Sequence, residues 1–433
     1  MSKPSVQVLS EHFRQRMEGR KLLAAVFCTY QFDPGFFEQE VLPLFLGLQP
    51  HQNRKVRLVQ LEEALREAED LAVYYDVNGL QMGADGSAQL DVRRIPVRHP
   101  RGIFHPKLVF ALVKELEGEC EGEEVLLVAA LSANMTRSGW WENVEACHVE
   151  EVRADEKLWM KPELLRHLRQ LRRLAPAWEK HAAVDRVEGF LKRVPERRQR
   201  TQDGRLCTHF LDGSKPLAEA LQEAAGDLVQ GWDLEVIAPF FDQAETCRPL
   251  EALLEALHPR KVRLMLPLDA EGQALVDERI HADCASWEDV EWALLPDDLR
   301  MARKDIPRYV HAKVYRFFNA RERREILYVG SANMTTAAHQ RGNLECGFLV
   351  ETEPDRRPTW WTEPLEREPQ RFEARSGSGE AATSRGSLLA VRYHWARGLA
   401  EVFWMGSAAS PRLVLSANGT HLADLDPLGP GSW

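Results

Sequence analysis

The chain has 433 residues, 44% apolar and 28% charged, with a net charge of −10 at neutral pH and a pI near 5.9. That length allows two or three domains with cores of their own. The acidic balance excludes a protein coated in basic surface for indiscriminate nucleic-acid binding, but not a locally positive cleft.

Other signals narrow the class further. No apolar run reaches the ~18 residues of a membrane span, and the stretch from Met1 to Ser5 leads into a charged helix rather than a signal-peptide core. The seven cysteines, at 28, 120, 147, 207, 247, 284 and 346, form no CxxC pair and no zinc spacing. The expectation is a cytoplasmic protein with reduced thiols and no metal or other cofactor.

In chain order, an apolar strand-like run from Leu22 to Phe27 leads into Phe32-Asp33-Pro34. Helical apolar spacing follows at Pro34–Leu46 and Leu61–Leu71. His105-Pro106-Lys107 then heads the buried-strand run Leu108–Val113, and Val125–Leu131 ends in Ser132-Ala133-Asn134-Met135-Thr136. A short helix is expected over Met135–Trp141, with amino-terminal N–H groups that favour an anion. Asn143-Val144-Glu145 opens the next strand.

Residues 155–200 read as mainly helical. Leu164, Leu165, Leu168 and Leu171 make an apolar stripe, with Arg166, Arg169 and Arg173 on the other flank. A basic stretch follows, Lys192-Arg193 and then Arg197-Arg198-Gln199-Arg200.

The pattern then returns. Val236-Ile237-Ala238-Pro239 leads into Phe240-Phe241-Asp242, and Leu250–Leu257 has helical spacing. The string Arg54-Lys55-Val56-Arg57-Leu58 recurs as Arg260-Lys261-Val262-Arg263-Leu264, displaced by as much as the two histidines are. His311-Ala312-Lys313, Ser331-Ala332-Asn333-Met334-Thr335 and Asn343-Leu344-Glu345 complete the second copy. The second copy is shorter after its HxK, where the first carries the acidic Glu115–Glu124 hairpin tip. Ser376–Ser384 has linker composition. Beyond it Leu388–Tyr393, Leu399–Trp404 and Arg412–Leu415 read as strands, with a hairpin signal at Asn418-Gly419. The expected organisation is a first repeat over 1–160, a helical connector over 161–215, a second repeat over 216–375 and a β-rich appendage over 388–433.

One HxK alone is surface decoration; three polar pairs recurring in order argue for an active site. Residues i and i+2 of a strand project to one face. His105 with Lys107, Ser132 with Asn134, and Asn143 with Glu145 therefore gather at one sheet end, and the second copy repeats this. Lysines and asparagine amides at such a site stabilise charge developing on a phosphodiester. One neutral imidazole can attack phosphorus, and a second, protonated one can protonate the leaving oxygen. Glu145 and Glu345 are the candidates to hold the imidazole tautomers. Ser132, Ser331, Asn143 and Asn343 support the site. Cys147 and Cys346 read as small core residues, and Trp140 and Trp141 as core or packing residues that could alternatively stack a base.

These residues resemble the phospholipase D superfamily, whose members carry two HxK…SxN half-sites; the likeness spans roughly residues 20–355. It implies two α/β/α repeats about a pseudo-two-fold axis, one shared active site, and metal-independent phosphodiester chemistry through a covalent phosphohistidine. It further implies His105 as nucleophile and His311 as general acid. The pattern departs in two ways. Leu112 and Phe318 stand where an aspartate is usual, and Leu131 replaces the glycine that Gly330 retains before the serine. Loss of the aspartate resembles tyrosyl-DNA phosphodiesterases and the metal-independent restriction nucleases. The expected function is thus a nuclease or phosphodiesterase, with nucleic acid, DNA first, as partner and Arg197, Arg198 and Arg200 as contacts to it. Partner proteins of a defence or repair system are expected by analogy. A lipid phosphodiesterase and an inactive nucleic-acid- or partner-binding scaffold are the alternatives.

Overall fold

The computed structural model describes all residues except 1–7, 50, 68–69, 82–89, 91, 178, 200, 203, 270, 304–305, 375–388, 395–397, 405–407, 418 and 430–433. Arg200, the Ser376–Ser384 linker, Asn418 and the stretch from Met1 to Ser5 thus lie outside the described residues. The chain divides into two compact units, Met1–Ser378 and Gly379–Trp433.

The larger unit is built on two mixed sheets. The first contains β1 (Arg20–Thr29), β2 (Asp70–Asp76), β3 (Arg93–Val97), β4 (Leu108–Glu115), β5 (Glu124–Leu131) and β6 (Cys147–Arg153), in the order β3-β2-β1-β4-β5-β6. Strands β1, β2 and β3 run parallel, while β4, β5 and β6 pair antiparallel.

The second sheet contains β7 (His209–Leu211), β8 (Asp233–Ile237), β9 (Lys261–Met265), β10 (Val290–Leu294), β11 (Val314–Asn319), β12 (Arg324–Gly330), β13 (Gly347–Thr352) and β14 (Glu363–Pro364). Its order is β14-β10-β9-β8-β11-β12-β13-β7. The six central strands repeat the first sheet strand for strand, with the same directions.

Helices cover both faces of each sheet, because strands buried on two faces read as continuous apolar runs. Helix α1 (Leu9–Met17), a helical segment over 34–45 and α2 (Arg54–Glu67) cover the outer face of the first sheet, where Phe13, Phe37, Phe45 and Leu61 meet Phe27, Val109 and Leu127. Helices α3 (Lys161–Leu174) and α4 (Ala182–Arg193) lie in a central layer. Leu164, Leu168, Val187 and Phe190 there join Phe110 of the first sheet and Val329 and Phe348 of the second in one core. Helices α5 (Leu217–Val229), α6 (Arg248–Leu257) and α7 (Glu278–Ala285) cover the outer face of the second sheet. This is the duplicated α/β/α architecture expected, with the connector helices packed between the sheets.

Three expectations need correction. The string Arg54–Leu58 lies in helix α2, whereas Lys261–Leu264 lies in strand β9. The counterpart of β9 is β2, since β2 is the parallel neighbour of β1 as β9 is of β8, so the shared string is not part of the repeat. The helix expected over Leu61–Leu71 runs instead over Arg54–Glu67, and Leu71 is buried in β2. The helix expected over Met135–Trp141 is a π-helical turn, Ser138–Glu142.

The trimmed loop does fall at the hairpin: β4 and β5 are joined from Glu115 to Glu124, β11 and β12 only from Asn319 to Arg324. In the smaller unit, Leu389–His394 pairs with Leu399–Trp404, and Leu413–Ala417 with Thr420–Leu425. Among the described residues, no helix is long and apolar enough to cross a membrane.

Candidate active site

The two HxK segments meet where the repeats cross. His105 N–H donates to the Leu344 carbonyl at 3.1 Å, and Leu344 N–H to the Ile103 carbonyl at 3.0 Å. The same exchange recurs across the pseudo-two-fold: His311 N–H donates to Val144 at 2.9 Å, and Val144 N–H to Tyr309 at 2.8 Å. Each half therefore lays its NxE segment against the strand entry of the other half.

The carboxylates cross over with the backbone. His105 Nδ1 is 2.8 Å from Glu345 Oε2, and His311 Nδ1 is 2.9 Å from Glu145 Oε1. Neither histidine is oriented by the glutamate of its own repeat. The supports are duplicated too. Ser132 donates to Glu145 and Ser331 to Glu345, and Asn143 and Asn343 donate to the same carboxylates at 3.2 and 3.3 Å. Lys107 and Lys313 each donate to the carbonyl of the histidine two residues earlier, at 3.0 and 2.6 Å. Both lysines are buried, at 1% and 0% exposure, where a cation acts through a low dielectric and its field counts for more than in water. Asn134 accepts the Gln31 N–H at 3.2 Å through Oδ1, so its Nδ2 is fixed as a donor. Asn333 is buried at the equivalent place after β12.

The two carboxylates differ electrostatically. Burial pushes Glu345 up to about 7, against the opposing fields of Lys107 and Lys313 and bonds from Ser331 and Asn343. Glu145 is buried equally, but the charge and hydrogen bond of His311, with Lys313 and Ser132, hold it below the usual carboxylate range. Burial also lowers His311 below an ordinary imidazole, although Glu145 pulls the other way.

Several residues at the site carried no sequence signal. Asp76, at the end of β2, accepts the Phe104 N–H at 2.7 Å and the Asn78 N–H at 2.8 Å, fixing the approach to His105; burial raises its pKa. Gly102 passes over Gly342 so closely that a Cβ there would lie 2.6 Å from the Gly342 oxygen. Tyr30 and Phe240 face the two histidines at ring separations of 5.5 and 6.0 Å. Their only trace in the sequence is an aromatic shortly after the first strand of each copy.

Other expected residues take different places. One N–H group after each SxN turn is already bonded: Gly139 N–H meets the Thr136 hydroxyl at 3.3 Å, and Thr336 N–H meets the Asp242 carboxylate at 2.8 Å. Trp140 is core, stacked on Phe13 at 5.5 Å, while Trp141 packs against Phe36 and under Arg137. Cys147 and Cys346 are free thiols packed in the core regions, and burial pushes them up, Cys147 to about 12.

Several connector arginines are paired with acids, while Arg169 donates to the Leu165 carbonyl at 3.1 Å. Arg166 meets Asp212 at 2.7 Å, Arg172 meets Asp185 at 2.6 Å, and Arg193 meets Glu124. Arg197 bonds the Lys157 carbonyl at 3.4 Å, and Arg198 is exposed in the loop after α4. No described bond joins either to the histidine site. Among the described residues, no group of three or more His, Cys, Asp or Glu is placed to hold a metal ion.

Two sheets of one topology meet at a single polar crossing, which defines a duplicated α/β/α scaffold. Comparison with solved structures finds a similar fold elsewhere. A variant of yeast tyrosyl-DNA phosphodiesterase matches over 84% of this chain and 91% of its own, at 11% identity and a TM-score of 0.50. The yeast enzyme itself matches over 82% and 88%, at 11% identity and a TM-score of 0.49. Polyphosphate kinase from Porphyromonas gingivalis matches over 79% of this chain and 45% of its own, at 11% identity and a TM-score of 0.39. No protein-family model matches the chain, and no curated protein matches it in sequence. At this identity the likeness is one of fold: the chain has the fold of the phospholipase D superfamily.

Proposed function

We propose that the chain is a phosphodiesterase that cleaves nucleic acid through a covalent phosphohistidine. The observation that carries this reading is the reciprocal pairing of His105 with Glu345 and His311 with Glu145. It gives one crossing two oriented imidazoles and two buried ammonium groups, the set that a phosphodiester transfer uses twice.

With Nδ1 held by the carboxylate, Nε2 is the nitrogen for the reaction. His105 Nε2 attacks phosphorus; the P–N bond forms as the P–O bond to the leaving group breaks, and His311 gives its proton to the departing oxygen. Water then attacks phosphorus, returns a proton to His311 and breaks the P–N bond. Lys107, Lys313, Asn134 and Asn333 stabilise the phosphoryl oxygens in both steps. Leu112 and Phe318, both buried in the sheets, occupy the usual aspartate positions, which favours nucleic acid over a lipid headgroup. Arg197, Arg198 and Arg200 serve in this reading as outlying contacts to the polynucleotide.

The test is turnover in EDTA of labelled single- and double-stranded DNA, RNA, 3′-blocked ends and phosphatidylcholine vesicles. Cleavage of a nucleic acid in EDTA is the expected result. Activity abolished by EDTA and restored by Mg²⁺ or Zn²⁺ overturns the mechanism. Lipid hydrolysis without nucleic-acid binding at low salt overturns the substrate.

A further inference from the structure

The pseudo-two-fold makes the two ends of the crossing comparable position by position, and they are not alike. At the end where Gly102 passes over Gly342, the flanking residues are Arg101 and Arg341, both exposed. At the other end the equivalents of Gly342 and Arg341 are Glu142 and Trp141, and those of Gly102 and Arg101 are Arg308 and Pro307. Glu142 pairs with Arg137 at 3.3 Å, and Arg137 lies over the Trp141 ring at 4.8 Å. One end of the crossing thus offers two arginines beside two glycines, while the other offers one, Arg308, next to the Glu142–Arg137 pair.

We propose that Arg101 and Arg341 form a two-pronged clamp for a backbone phosphate next to the scissile one, so that the polynucleotide leaves the active site over the Gly102/Gly342 contact. The inference rests on the nucleic-acid reading and adds the side of the site on which the strand lies.

Four observations converge on it. The strap carrying Arg101 is rigid, because Asp76 holds Phe104 N–H at 2.7 Å and Asn343 Oδ1 holds Ile103 N–H at 3.3 Å. The two arginines are the chain neighbours of the two glycines in contact, so their backbones meet at the crossing. His99 lies in the fields of Arg101, Arg341 and Glu345 together, and its lowered pKa follows first from burial and then from Arg101. Neither arginine makes an ion pair with a described residue, in contrast to Arg166, Arg172 and Arg193. Arg341 also holds φ at 62°, the left-handed region that disfavours a side chain. Glycine or asparagine would sit there more cheaply, so an arginine at this position points to a role for its side chain. Guanidinium groups bind phosphate through bidentate hydrogen bonds, the chemistry such a pair offers.

The variants Arg101→Gln and Arg341→Gly separate this role from a structural one, since glycine relieves the backbone at 341 while removing the charge. Steady-state cleavage of a single-stranded oligonucleotide is compared with that of a nitrophenyl phosphodiester, which has no neighbouring phosphate. Each variant should raise KM for the oligonucleotide on the order of tenfold, and far less for the small ester. The slope of log affinity against log salt should fall by about one per arginine. Thermal unfolding reports folding, and Arg341→Asn, which also tolerates the left-handed region, repeats the test if the glycine variant unfolds. Oligonucleotide KM and salt slope unchanged in both variants, with a wild type that cleaves the oligonucleotide, overturns the clamp alone. Equal losses on both substrates overturn it as well, because the arginines then act through the site itself. A wild type that neither binds nor cleaves the oligonucleotide at low salt overturns the nucleic-acid reading and the clamp with it.

Discussion

At the scale of single residues, the crossing separates two histidines that look identical in sequence. His311 faces a carboxylate held in its charged form, which suits an imidazole that must carry a proton. His105 faces Glu345, whose carboxyl is pushed up to about 7 by burial. Ionised Glu345 accepts from His105 Nδ1–H and sharpens Nε2 as a nucleophile, whereas neutral Glu345 does not. Ionisation of Glu345 should therefore add a rising limb near pH 7, opposed by loss of the His311 proton, which burial makes easier. In Glu345→Gln, which cannot ionise, that limb should vanish; an unchanged inflection in the variant would assign it to another group. His105→Ala and His311→Ala should each lose on the order of 10²–10⁴-fold in turnover. Only His311→Ala should accumulate a phosphohistidine, read by trapping ³²P-labelled substrate on the chain. Adduct on the His105 variant instead would exchange the two roles, and full activity in both would remove the site.

At the scale of elements, what was legible followed local spacing and what was not depended on tertiary contact. Strand-length apolar runs located β1, β4 and β5, and the i, i+2 spacing of HxK, SxN and NxE placed those pairs at strand ends. The crossover of Glu145 and Glu345 was not legible, because each glutamate pairs with a histidine of the other repeat. The Arg54–Leu58 string misled for a related reason: five residues carry too little pattern to choose helix or strand, and their surroundings chose differently in α2 and β9. The Leu131 substitution, in contrast, is explained by packing. Leu131 pairs with Cys147, and Gly330 with Gly347. A Cβ at Gly330 would lie 2.4 Å from the Cys346 oxygen and 2.6 Å from the Tyr328 hydroxyl. Ala129 occupies the place of Tyr328 two residues earlier, so the first copy puts its bulk at the strand end and the second puts it in the tyrosine.

The second sheet also contains a buried ionic element. Arg316, fully buried, donates to Glu235 and Glu325 at 2.8 Å each and is sandwiched between Phe318 and Trp361 at 4.4 Å. Glu235 in turn accepts the N–H groups of Trp361 and Thr362 at 2.9 and 2.7 Å, which ties the chain leading to β14 onto the sheet. Removing the arginine leaves two buried carboxylates facing each other unpaired, so Arg316→Met should cost about 3–5 kcal/mol in chemical denaturation. A loss below about 1 kcal/mol would show that water reaches the network and screens it.

At the scale of the molecule, the central layer makes the two repeats one folding unit. Helices α3 and α4 contribute to a core that also takes side chains from both sheets, so neither sheet buries its inner face alone. That layer carries a titratable weak point. His167 of α3 is fully buried between Phe110 and Phe210, with Nδ1 3.5 Å from Cys346 Sγ, and burial lowers it to about 4. His339, fully buried behind the SxN turn, is lowered to about 3 for the same reason. Both take up a proton more readily when unfolded, near 6.5, than when folded. The unfolded chain therefore binds more protons in that interval, and stability must fall as pH drops from about 6.5 toward 4. Glu345 opposes this, since its raised pKa favours the folded form at acid pH and that contribution fades as pH rises toward 7. Between these three groups, one carboxyl against two histidines leaves the slope in the histidines' direction, at about 1 kcal/mol per pH unit. His167→Leu removes the titrating group and keeps the site apolar, so unfolding midpoints measured from pH 7 to 4.5 should fall less steeply than in wild type. A variant with the wild-type slope would mean that His167 reaches water in the native state and that the acid sensitivity lies elsewhere.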